Sequence, residues 1–176
     1  SATLEINSGC ATTLGTFNAV AGTFIWHRND GGANLPSNAA NGGYYNLTVD
    51  PGGGNTVTAT GGLTVANDFT ISSGTFNASN QAHLIGGDLR LSGAFTQGSS
   101  TVTFTGADCE ILKSTSSASS ITFNHLTVGN SASDATAIAY GKSVSVAGTL
   151  TIAASSTLNA GSVTSLTVGT WYDSGT

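Results

Sequence analysis

Charge is scarce in this 176-residue chain: only 4 Lys+Arg and 9 Asp+Glu, 7% of the residues, where soluble domains typically carry about 25%. Long helices solubilise their outer faces with Glu and Lys, and so small a supply argues against helix. With no basic cluster and a net charge of −5, a phosphate backbone would be repelled, which excludes nucleic acid as a partner. No apolar run approaches about 18 residues, so no membrane span is expected. Methionine is absent and there are only 2 Pro and 2 Cys. Without an initiator Met, the chain is expected to begin inside its gene product, and Ser1-Ala2-Thr3 suits a processing site.

What is present is 27 Thr, 24 Gly and 23 Ser, with Val, Ile, Leu and Phe at spaced positions. The spaced apolar residues and small net charge exclude disorder, and low charge with abundant Thr, Ser, Gly and Asn points to an extracellular or cell-surface location. Short alternating runs recur throughout: Leu63-Thr64-Val65, Phe69-Thr70-Ile71, Thr75-Phe76-Asn77, Leu89-Arg90-Leu91, Val102-Thr103-Phe104, Val144-Ser145-Val146 and Leu150-Thr151-Ile152. In each, the first and third side chains share one face. Gly, Ser, Asn and Asp separate them and accept turn geometry readily.

The sequence also repeats at long range. Thr23-Phe24-Ile25-Trp26 matches Thr101-Val102-Thr103-Phe104, Tyr45–Val49 matches Phe123–Val128, Phe69-Thr70-Ile71 matches Leu150-Thr151-Ile152, and Leu84–Ala94 matches Leu166–Thr176. One period of approximately 80 residues, its offset growing from 78 at Thr23/Thr101 to 82 at Leu84/Leu166, makes 1–176 a single repeat domain. It divides into an incomplete first unit with the start of a second (1–92), then the second unit (93–176). A finer beat puts apolar strand centres near residues 64, 70, 76, 84, 90, 95 and 103. Three such strands make about 20 residues, one coil of a three-sided parallel β-solenoid, so one long repeat unit reads as four coils. A tandem β-sandwich is the alternative, but strands of three or four residues are short for it.

The phrases Tyr45-Asn46-Leu47-Thr48-Val49, Gly62-Leu63-Thr64-Val65, Gly74-Thr75-Phe76-Asn77-Ala78 and Ser100-Thr101-Val102-Thr103-Phe104 resemble repeats of very large secreted bacterial surface proteins, the adhesin-like or filamentous-haemagglutinin-like β-solenoids. That resemblance implies a structural or adhesive role outside the cell and carries no catalytic motif.

An enzyme reading finds little to stand on. Asp30, Asp50, Asp68, Asp88, Asp108 and Asp134 are scattered at turns. Asp68, Asp88 and Asp108 are evenly spaced, close to one coil apart, and would stack in one column, where repelling carboxylates could recruit a cation. The plainer reading is water-exposed turn residues. His83 and His125 lack metal-ligand spacing and read as structural histidines, and Pro51-Gly52-Gly53-Gly54-Asn55 lacks the Lys and helix of a phosphate loop and reads as a turn. Neither a catalytic residue, a cofactor site nor a metal site is therefore assigned.

Surface contacts remain. Trp26, His27 and Arg28 form the most polar stretch with aromatic surface, a candidate binding patch; exposed Trp26, Tyr44, Trp171 or Tyr172 would serve a carbohydrate-binding module. The Thr of Thr56–Thr60 and Thr101–Thr105 could form an ice-binding array, but Ala82–Ile85 and Leu89–Leu91 interrupt it. The aromatic pairs Phe17/Phe95, Tyr45/Phe123 and Trp26/Phe104 are expected to point inward. Cys10 and Cys109 are separated by about five coils, or ~24 Å, too far for a disulfide within one chain. Finally, Ala2, Leu4 and Ile6 at one end and Leu166, Val168, Trp171 and Tyr172 at the other alternate like internal strands. Uncapped ends of that kind predict head-to-tail assembly of the protein with itself.

Overall fold

The computed structural model describes residues 2–8, 21–28, 33–37, 42–113, 120–129, 135–139, 143–161 and 163–173. Cys10, Phe17, Asp30 and Asp134 lie outside them. Among the described residues every element is a β-strand, and every strand pairing is parallel.

The chain winds over three faces. The first face stacks eight strands: β1 (Ala2–Ile6), β2 (Gly22–Trp26), β4 (Asn46–Val49), β7 (Phe69–Ile71), β10 (Leu89–Leu91), β13 (Asp108–Lys113), β16 (Ala135–Ala139) and β18 (Thr157–Asn159). The second holds β3 (Ala33–Leu35), β5 (Thr56–Ala59), β8 (Thr75–Asn77) and β11 (Ala94–Thr96), and the third β6 (Thr64–Val65), β9 (Ala82–Ile85), β12 (Thr101–Phe104) and β15 (His125–Val128). Toward the C-terminal end β14 (Ile121–Phe123) follows β11 around the coil, and the corner between the second and third faces straightens. There β17 (Ser143–Ile152) and β19 (Ser165–Asp173) each run across both faces, with a register irregularity between Val146 and Thr149. This is the three-sided β-solenoid the alternating triplets predict, at roughly 22 residues per turn. The turn length varies: the loop of chain from Ala2 to its partner Gly22 is shorter than that from Asp108 to its partner Ala135.

Parallel in-register stacking turns the strand alternation into columns. On the first face Leu4, Phe24, Leu47, Phe69, Leu89 and Ile111 form one column. From Phe24 to Ile111 each of its members is almost wholly buried. On the third face Val65, Ile85, Phe104, Val128 and Ile152 form another. Inside the coil Phe69, Phe76, Phe95 and Phe123 meet ring to ring at centroid distances of 5.0, 6.1 and 5.5 Å, separations at which aromatic pairs attract beyond their area burial. The corners explain the glycines. A Cβ at Gly106 would overlap the Gly86 carbonyl one coil below, and Gly43, at φ +85°, would meet Thr64 in the same way.

The inward assignment holds for Trp26, Phe104 and Phe123, all buried. Phe95 is half-buried against the core. Tyr45 is half-buried too, because its neighbour Tyr44 takes the interior place. Cys109 is also buried, on a strand five positions along the first face from β1. The long sequence repeat has an unexpected structural meaning. Its matched strands fall on different faces: β2 sits on the first and its match β12 on the third, and β7 on the first while Leu150–Ile152 is on the third. One unit therefore spans eleven faces rather than the twelve of four full coils, and each unit is rotated back by one face.

Removing a ring from a column leaves a void bounded by the coils above and below. Phe104→Ala should cost about 3–5 kcal/mol, whereas Thr103→Ala, on the outward side of the same strand, should stay within about 0.5 kcal/mol. Chemical denaturation of both variants checks the difference; equal midpoints would contradict the column assignment.

Candidate functional site

Polar side chains concentrate where one coil turns into the next. One position before the buried column of the first face runs an outward column: Thr3, Thr23, Asn46, Asp68, Asp88 and Glu110, with Asn159 in the same register further along. Asn46 Oδ1 accepts the backbone N–H of Asp68 at 3.2 Å, Asp68 Oδ1 that of Asp88 at 3.1 Å, and Asp88 Oδ1 that of Glu110 at 2.9 Å. Each side chain thus clips its own coil to the next. Arg90 donates to Asp88 at 2.6 Å and to Asp68 at 3.4 Å, supplying the positive charge that two stacked carboxylates need.

The predicted trio of Asp68, Asp88 and Asp108 is corrected here. The coil after β10 is longer than the coil before it, so Leu89 pairs with Ile111 rather than with Cys109. The residue above Asp88 is then Glu110, and Asp108 falls out of the column. Among the described residues no group of three or more His, Cys, Asp or Glu side chains could hold a metal ion.

The Trp26-His27-Arg28 patch is corrected as well. Trp26 has no exposed surface, since alternation along β2 sends it inward with Phe24. The Arg28 guanidinium lies 5.8 Å from its ring centroid and covers it. His27 is half-buried between acidic groups, with Nδ1 3.5 Å from Asp50 Oδ2 and Nε2 3.9 Å from Glu5 Oε2. Ser73 hydrogen-bonds Asp50 Oδ1. In this Ser–Asp–His chain the carboxylate is central, so the imidazole does not touch the hydroxyl and does not activate it as a nucleophile.

Tyr44 is buried rather than exposed, its hydroxyl donating to the Pro36 carbonyl at 2.6 Å, and burial pushes its phenol above the usual range. The Thr array falls short of an unbroken face, and one of the two interruptions the sequence suggests, Ala82–Ile85, supplies the break. Leu89–Leu91 lies on the first face and leaves the third untouched; Leu84 is what breaks the outward column Thr64, Leu84, Thr103, Thr127, Thr151, Tyr172.

The ends of the stack are where apolar surface meets water. Among the described residues the exposed large hydrophobics are Leu4 (38%), Leu84 (39%), Trp171 (65%) and Tyr172 (64%). Leu4 heads the buried column of the first face, and Trp171 sits above Leu150, which is buried. Both belong to core columns and are exposed because no described strand lies beyond them. At the same ends Ala2 is exposed and Ile6 buried, while Leu166 and Val168 are partly buried against the core. Beside β19 a groove of about 450 Å³ opens over β18, lined by Ile152, Thr157, Leu158 and Asp173. Compared with protein-family models, with curated proteins and with solved structures, the chain gives no match. Among the described residues no helix is long and apolar enough to cross a membrane.

His83 is the structural histidine its isolated spacing suggests, although composition and spacing do not show which groups it joins. It is almost fully buried between two coils, accepting the Leu63 N–H at Nδ1 (3.2 Å) and donating from Nε2 to the Ala78 carbonyl (2.9 Å). That pattern requires the neutral ring, and burial lowers the folded-state pKa below the ordinary 6.5. The unfolded chain therefore binds the proton first, so the stability that His83 contributes is complete above about pH 6.5 and is lost as pH falls through its folded value. Melting temperature should fall as pH drops below about 6.5, and His83→Gln should flatten that slope; an unchanged slope would show that His83 is not its source.

Proposed function

We propose that this chain is a structural rod that works outside the cell, as a subunit of a fibre or a segment of an adhesin stalk, lengthened by in-register strand addition at its open ends. The observation that carries this reading is the exposure of core-column residues, Leu4 and Trp171, at opposite ends of the stack. Soluble repeat proteins shield such ends with polar caps, and an edge strand with free N–H and C=O groups is a template for another strand. The corner carboxylates Asp68 and Asp88 are engaged by backbone N–H groups and Arg90, which suits a mechanical role better than acid–base chemistry. The low charge and the resemblance to repeats of secreted bacterial surface proteins favour an extracellular setting. One observation favours a second reading: Tyr172, about two-thirds exposed in the outward column of the third face, could stack on a sugar ring of a cell-surface carbohydrate, with the exposed Trp171 next to it in sequence on the other side of the strand.

Sedimentation and negative-stain electron microscopy across a concentration series test the proposal. The intact chain should form filaments of one coil width. Leu4→Lys with Trp171→Lys should raise the concentration needed on the order of tenfold or more, ~1.4 kcal/mol per decade. A stable monomer at every concentration, with glycan binding lost in Trp171→Lys, would replace the rod by the carbohydrate reading.

A further inference from the structure

Resting on that rod reading, the geometry points to a specific joint: we infer that the groove over β18 is the seat for β1 of a second copy. Three observations converge on it. The first is phase. Coils advance from first to second to third face, and the described chain ends on β19, whose last residues pair with Leu150–Ile152 on the third face. The next place in the spiral is on the first face, above β18. That place is the groove lined by Leu158 and Asp173. At the other end of the described stack β1 is itself a first-face strand, hydrogen-bonded to β2 alone among the described strands.

The second observation is register. Following the pairings from β1 to β18, Ala2 shares a column with Leu158, Thr3 with Asn159 and Leu4 with Ala160. Moving one copy along the axis, with no slip along the strand, therefore sets Ala2 and Leu4 over Leu158 and Ala160, both packed against the core. Leu4, 38% exposed, becomes an interior residue. Thr3 meets Asn159 on the outward side, in the column where Asn46, Asp68 and Asp88 each clip the coil above; Asn159 Oδ1 meanwhile accepts the Gly161 N–H at 3.0 Å.

The third is chemistry. The contact joins two different surfaces of the chain, so it is heterologous and propagates without closing. The seat has apolar residues, Ile152, Ala153 and Leu158, beside polar ones, Ser155, Ser156, Thr157 and Asp173, a mixed lining that fits a strand such as Ala2–Ile6, with apolar and polar side chains on opposite sides.

Disulfide trapping in the full chain tests the joint. Thr3 and Asn159 are both exposed and lie seven strands apart in one molecule, about 34 Å, so a disulfide between these positions must link two copies. The double variant Thr3→Cys/Asn159→Cys should give, on mild oxidation, a ladder of covalent multimers with the 3–159 peptide identified by mass mapping. Thr3→Cys/Thr157→Cys, of the same outward parity but out of register, should give at least tenfold less. Filaments without the 3–159 link, or with equal trapping in both variants, would overturn the joint while leaving end-to-end growth standing. Absence of any assembly in the intact chain would overturn both.

Discussion

Among the described residues a strand inside a sheet has two hydrogen-bonded neighbours, the strand one coil before it and the strand one coil after it. Parallel hydrogen bonding at about 4.8 Å fixes that relation and puts a residue's chemical environment in the hands of its column partners. An apolar residue survives at Phe69 because Leu47 lies below it and Leu89 above. Because contacts are confined to adjacent coils, stability is close to a sum of coil-to-coil terms, and it fails first where a coil lacks one neighbour.

The corners obey the same constraint with different residues. A turn stacked directly on another has no room for a side chain on the facing backbone, hence Gly86 beneath Gly106. Its backbone N–H groups need acceptors from the adjacent level. Asn46, Asp68 and Asp88 supply them on one corner; on the corner between the second and third faces His83 accepts the Leu63 N–H and His125 the Thr149 N–H at 3.0 Å. Few charges suffice because most of the polar work is done by short side chains bonded to backbone rather than by ion pairs in water.

Much of this was legible in the sequence. The apolar beat near 64, 70, 76, 84, 90, 95 and 103 falls on seven successive strands, β6 to β12, because a period-two alternation bounded by Gly, Ser and Asn has few other ways to bury its apolar half. Face was harder to read than strand. Matched segments such as Gly22–Trp26 and Thr101–Phe104 look interchangeable, but coils of unequal length accumulate a one-face rotation that no local pattern records. The same variation displaced Asp108 from its column. Trp26 and Tyr44 read as binding aromatics, since an aromatic beside polar residues looks the same whether its strand points it in or out. The role of His83 depends on a carbonyl and an N–H from other turns, which composition and spacing do not show.

Coil-to-coil pairing holds the described stack together, and we propose that strand addition at its outermost described strands lengthens it. Hydrogen exchange of the full chain, followed strand by strand at low and high concentration, measures that most directly. In dilute solution β6 to β12 should be the most protected strands and β1 and β19 the least, and at high concentration the end strands should gain protection while the middle stays as it was. Equal protection along the chain at both concentrations, or slow exchange in β1 and β19 when dilute, would contradict it.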